Sequence, residues 1–106
     1  MNQTQANFIE SVALTIEAYP EYYMQEKDPM MCTEVSCGCI LHFATFVAGI
    51  EQRESIGWPK LQDYMGLPED KLNTIFLWRW AWGLDGKPNA RQAATYLRTY
   101  IPKKLR

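Results

Sequence analysis

The chain has 106 residues, 47% hydrophobic and 22% charged, with a formal net charge of −1. That is room for one globular domain burying about two-thirds of its surface, and it excludes disordered, collagen-like, low-complexity and coiled-coil classes. The longest charge-free apolar run, residues 35–50, is shorter than a membrane span and contains His42, so no transmembrane helix and no membrane partner are expected.

The first helix is predicted over residues 8–19. Asn7 is in place to cap it, with Glu10 reaching back as capping-box partner. Phe8, Ile9, Val12, Ala13 and Ile16 recur at helical spacing and mark an apolar face, with Glu10, Leu14 and Glu17 opposite. Pro20 ends the helix, because the residue before a proline is pushed out of the α region. A polar segment with an Asp28-Pro29 turn follows.

The second helix is predicted over residues 36–51 and is apolar nearly all round, which places it at the centre of the domain. Gly38, His42, Thr45 and Gly49 form its one small, polar stripe, where the two glycines would admit a neighbouring backbone. A break follows at residues 55–57. The third helix is expected to open with Pro59 at its first position, to bury Leu61, Tyr64 and Met65, and to stop at Gly66. Pro68 opens the fourth, with Glu69 and Asp70 favouring its positive end and Leu72, Ile75 and Phe76 on its buried face. Residues 83–86 read as a loop. Asn89 caps a fifth helix that buries Ala90, Ala93, Ala94, Leu97 and Ile101; Pro102 ends it, and the basic tail 102–106 trails into solvent. The fold expected is therefore a single all-α domain of about five helices around the central apolar helix at 36–51. Its core lies within residues 8–101: Phe8, Val12, Ile16, Ile40, Phe43, Ala44, Val47, Leu61, Leu72, Ile75, Phe76, Leu97 and Ile101.

The small net charge hides a division. Residues 1–54 carry eight acids and two bases, a balance of −6, whereas residues 55–106 carry nine bases and four acids, a balance of +5. Attraction between packed halves accounts for this most simply. The alternative is a basic face for nucleic acid, made by Lys87, Arg91, Arg98, Lys103, Lys104 and Arg106. An odd count of three cysteines and the lack of a basic-then-apolar leader in the first ten residues favour free thiols in a reducing cytoplasm.

Cys32, Cys37, Cys39 and His42 gather the zinc-competent side chains, in the spacing C-x4-C-x-C-x2-H. One residue between Cys37 and Cys39 does not make a zinc knuckle, and on a helix the two point about 200° apart. Small buried thiols are the simpler reading, so no metal and no other cofactor is expected. His42 is the sole histidine. A thiol enzyme centred on Cys37, Cys39 and His42 would lack the third group that orients such pairs, and no phosphate-cradling loop, nucleophile elbow or metalloprotease motif is present. Catalysis is therefore not expected. The tryptophans carry the best functional signal. Trp78, Trp80 and Trp82 alternate around Arg79, cannot all face one side of a helix, and have the composition of an interaction hot spot for a protein partner.

The order of short motifs resembles a loosely defined group of small, uncharacterised helical proteins of bacteria and their phages. The residues that carry the resemblance are Ile16, Pro20 and Met24; Cys32 and Thr33; Cys39, Ile40 and His42; residues 65–67; and Ile75 and Phe76 with Trp80 or Trp82. Leu41 stands where that pattern has glycine, and the tryptophan-rich stretch is particular to this chain. The resemblance implies an all-α fold, a cytoplasmic setting and a phage or mobile-element origin. It implies no activity. The functional expectation is a non-catalytic protein-binding module, an inhibitor or modulator of a host or defence protein, with Trp78, Arg79, Trp80 and Trp82 as its contacts.

Overall fold

Asn2 begins the first helix. Its side-chain Oδ1 accepts the Gln5 N–H at 2.8 Å, and Gln5 Oε1 in turn accepts the Asn2 N–H at 2.9 Å, which satisfies two of the donors a helix start leaves open. The computed structural model describes residues 1–23, 40–49, 57–76 and 89–106, and helix α1 runs over Gln3–Ala18. It thus starts five residues before the expected position. Asn7 is not the cap: it lies inside the helix, where its Oδ1 accepts from Gln3 Nε2 at 3.0 Å. Glu10 turns to another partner. Tyr19 ends the helix ahead of Pro20, which opens a 3-10 turn, Pro20–Tyr22.

Four more helices follow among the described residues: α2 Ile40–Ala48, α3 Gly57–Met65, α4 Glu69–Phe76 and α5 Ala90–Arg98. These residues contain no strand. The radius of gyration, 12.6 Å, matches the roughly 13 Å of a folded chain of this length. The alternating tryptophan run lies outside the described residues. Gly57 is helical rather than part of a break, so Pro59 is third in α3. Pro68 sits one residue before α4, its carbonyl accepting from Lys71 and Leu72. Asn89 caps α5 as expected, in a reciprocal box with Gln92.

Helix α1 packs against α2, α3 and α5, and α2 against α1, α3 and α4. The interior is therefore shared between them. Ala6, Ile9, Val12, Ala13 and Ile16 form the inward stripe of α1. They meet Ile40, Phe43 and Ala44 of α2, Leu61 and Met65 of α3, Leu72 and Ile75 of α4, and Ala93, Ala94, Leu97 and Ile101 from α5 and its end. The alanine-rich face of α5 is what lets it lie close along α1.

Several expectations are corrected. Phe8 and Val47 are half-buried and pack on the edge of the core. Tyr64 is 43% exposed and stacks on Phe8, with ring centroids 5.2 Å apart. Gly49 ends α2 with φ +72° and has open space where a side chain would go, so it serves a left-handed stop and not a close backbone approach. Gly66 is also left-handed, with φ +67°, and there a side chain comes close: an added Cβ would lie 2.5 Å from Gln5 Oε1. The tail does not trail off. Lys103–Leu105 form a 3-10 turn, Leu105 packs on the core, and Arg106 donates to the carbonyls of Ile101 and Arg98 at 2.9 and 3.0 Å. Those two carbonyls close the end of the α5 segment; the Arg98 carbonyl also accepts the Ile101 N–H at 3.1 Å. The Phe76 side chain lies outside the described residues.

Candidate functional site

The polar chemistry of the described residues gathers along the seam between α1 and α5. Glu10 and Glu17 stand two helical turns apart and so share a face of α1. Arg98, in the last turn of α5, reaches both. Its Nε donates to Glu10 Oε2 at 2.9 Å, and its Nη2 donates to Glu10 Oε1 at 2.9 Å and to Glu17 Oε1 at 2.6 Å. The forked contact to Glu10 is the geometry in which guanidinium and carboxylate bind most strongly. The Arg98 hydrogen bond, assisted by the charges of Arg98 and Arg91, outweighs partial burial and holds the Glu17 carboxyl below its usual 4.5. The same two bonds push the Arg98 guanidinium up, so it keeps its charge throughout the accessible pH range. Nearby, the Tyr96 and Tyr100 hydroxyls lie 2.7 Å apart with their rings edge to face, and burial with that bond pushes the Tyr96 hydroxyl up.

Two grooves flank α1. One, of about 580 Å³, is bounded by the first turns of α1 and by Arg98, Ile101, Leu105 and Arg106. The other is more open, about 1020 Å³, and runs between α1 and α3 past Phe8 and Tyr64. Large hydrophobic side chains stand out elsewhere. Phe46 on α2 is 72% exposed, Tyr22 68%, Leu14 53% and Tyr19 52%.

The sequence-predicted sites distribute unevenly over this structure. Trp78, Arg79, Trp80 and Trp82 lie outside the described residues, as do Cys32, Cys37 and Cys39. His42 lies on the α2 backbone, with its side chain outside the description. Among the described residues no cluster of three metal-capable side chains occurs, and no helix is long and apolar enough to cross a membrane. Of the basic set offered for nucleic acid, Lys87 is outside the described residues. Arg98 is clamped by two carboxylates, and Arg106 is committed to backbone carbonyls. Arg91, Lys103 and Lys104 face solvent. The charge division is thus spent partly inside the fold, acid of α1 on base of α5.

Sequence reasoning missed the exposed aromatic positions Phe46 and Tyr64. Phe46 points about 110° from the mean direction of Ile40, Phe43, Ala44 and Val47 on a 100°-per-residue wheel; that angle was readable, but an apolar helix invites the assumption that every face is covered. No protein-family model, no curated protein and no solved structure matches the chain.

Proposed function

We propose that the chain is a non-catalytic interaction module that binds another protein, a phage- or mobile-element-encoded inhibitor or modulator of a host or defence protein acting in the cytoplasm. The observation that supports this reading best is the surplus of aromatic side chains that the fold leaves outside. Phe46 and Tyr22 keep about seven-tenths of their surface in water, in a chain with fourteen aromatic residues. A buried Phe contributes on the order of 1.5–3 kcal/mol by leaving water, so its exposure forgoes stability that a partner can recover. Trp78, Arg79, Trp80 and Trp82 are the proposed contact set. Aromatic anchors bring large contact area at small rotamer cost, and the guanidinium adds directed hydrogen bonds.

The test is alanine substitution read two ways, by thermal unfolding and by affinity for the partner that co-purifies from the native host. A contacting tryptophan should lose about 2 kcal/mol of binding, roughly thirtyfold, at unchanged stability. A core tryptophan should instead lose on the order of 3–5 kcal/mol of folding stability. If every Trp→Ala variant unfolds and Phe46→Ala changes neither readout, the interaction surface is not here. Steeply salt-dependent binding to DNA or RNA that Lys103→Ala and Lys104→Ala weaken would point instead to nucleic acid.

A further inference from the structure

Helix α5 and the tail behind it form an arm that its own residues close at both ends. Asn89 and Gln92 cap its start reciprocally. At its other end Arg106 donates to the carbonyls of Ile101 and Arg98, and between the two the Tyr96 and Tyr100 hydroxyls bond to each other. The attachments of the arm to the rest of the described structure converge on α1. Ala90, Ala93, Ala94 and Leu97 form its buried face, and α1 is the one described helix against which α5 packs more than glancingly. Arg98 binds Glu10 and Glu17 of that helix, and the Leu105 carbonyl accepts from Gln3. The arm can therefore leave α1 with its own caps intact, and the surface it uncovers fits the same arm from another molecule. Residues 77–88 join it to α4. A stretch of that length reaches about 40 Å when extended, more than the 33 Å longest dimension of the molecule, so chain length does not bind the arm to its own α1.

We propose that the arm, residues 89–106, exchanges between two copies of this chain, the α5 of each docking on the α1 of the other. Every contact across the seam, charged and apolar, is then remade between copies, and the reciprocal exchange closes as a two-fold dimer. No new complementarity has to be supplied, because a second copy carries the same α1. The tether opposes exchange: a linked arm meets its own α1 at an effective concentration of millimolar order, so closed monomers hold in dilute solution and exchange competes when the chain is concentrated. This pairing of the chain with itself is independent of the aromatic contact set and stands or falls apart from it.

The test uses the full chain in reducing buffer, which keeps the three cysteines from linking copies on their own account. Unfolded in urea and refolded at about 1 mM, it should give a species of twice the 12.3 kDa chain mass by light scattering; refolded at roughly a hundredfold dilution it should give monomer. Two charge-reversed variants identify the contact. Glu10→Lys with Glu17→Lys sets like charges against Arg98, and Arg98→Glu sets like charges against Glu10 and Glu17; Arg91, which also acts on Glu17, is kept in both. Each variant alone should unfold at a lower temperature than the wild type. Refolded together in equal amounts, they should form a one-to-one heterodimer with the unfolding temperature largely restored, because exchange sets opposite charges together in both seams. Monomer mass after refolding at about 1 mM, or co-refolding without a heterodimer, would each overturn the exchange; a wild-type dimer alongside the second result would assign the dimer to another surface.

Discussion

Gly49 and Gly66 share a left-handed backbone but carry different loads. At Gly49 an added methyl meets open space, so Gly49→Ala should cost only the backbone preference, about 1 kcal/mol. At Gly66 the methyl also strikes the Gln5 side chain, which is held in place by Asn2 N–H and by its own bond to Asp63 O at 3.0 Å. Gly66→Ala should therefore cost about 1 kcal/mol more, and urea unfolding of both variants checks the order. Adding Gln5→Ala to Gly66→Ala should return part of the difference. Asn2→Ala, which removes the α1 cap, should cost about 1 kcal/mol, whereas Asn7→Ala should stay within about 0.5 kcal/mol. That pair of measurements also shows why the start of α1 was hard to read. Asn2 with Gln5 and Asn7 with Glu10 fit the same four-residue pattern, and only the packing of Ala6 against the core decides between them.

The elements themselves were largely legible. Apolar residues at helical spacing, Asn89 before α5 and glycine after α3 mark helices the structure contains, because periodicity and caps act within a few residues of chain. Tyr64 escaped the pattern because it sits at the edge of the Leu61–Met65 face, where the neighbouring helix decides whether a side chain is covered. The folded tail escaped it too: one arginine donating to carbonyls leaves no signature in a sequence. Of the seam, only the opposite charges of the two halves could be seen, not which acid would meet which base. The seam has a pH dependence of definite sign. Glu17 is held below its ordinary value by Arg98, so its contribution is complete above the ordinary carboxylate range and fades as pH falls through its lowered value. Glu17→Gln should thus lower the unfolding temperature at pH 7, and the gap to the wild type should narrow as pH falls through the lowered Glu17 value. A gap that does not narrow in acid would show that the contact is not electrostatic. Leu97→Ala, on the face of α5 that meets α1, should cost on the order of 2–5 kcal/mol at any pH.

Among the described residues, the helices that lie most fully against one another are α1 and α5. Glu10 and Arg98 are 88 positions apart, and Gln3 and Leu105 are 102 apart. Such pairing closes a long loop, which slows folding relative to a bundle built from neighbours. During synthesis the order of appearance matters as well. The stripe Ala6, Ile9, Val12, Ala13 and Ile16 leaves the ribosome well before the face of α5 that packs on it, so at about 5–20 residues per second the side of α1 that meets α5 stays uncovered for several seconds. A nascent chain arrested before residue 89 should be captured by holdase chaperones and cut readily by protease, and the same chain released at full length should resist both. Helix α5 is in this sense the timer of the fold: until it emerges, α1 has at most the cover of α2 and α3 and lacks the arginine that pairs with its two glutamates.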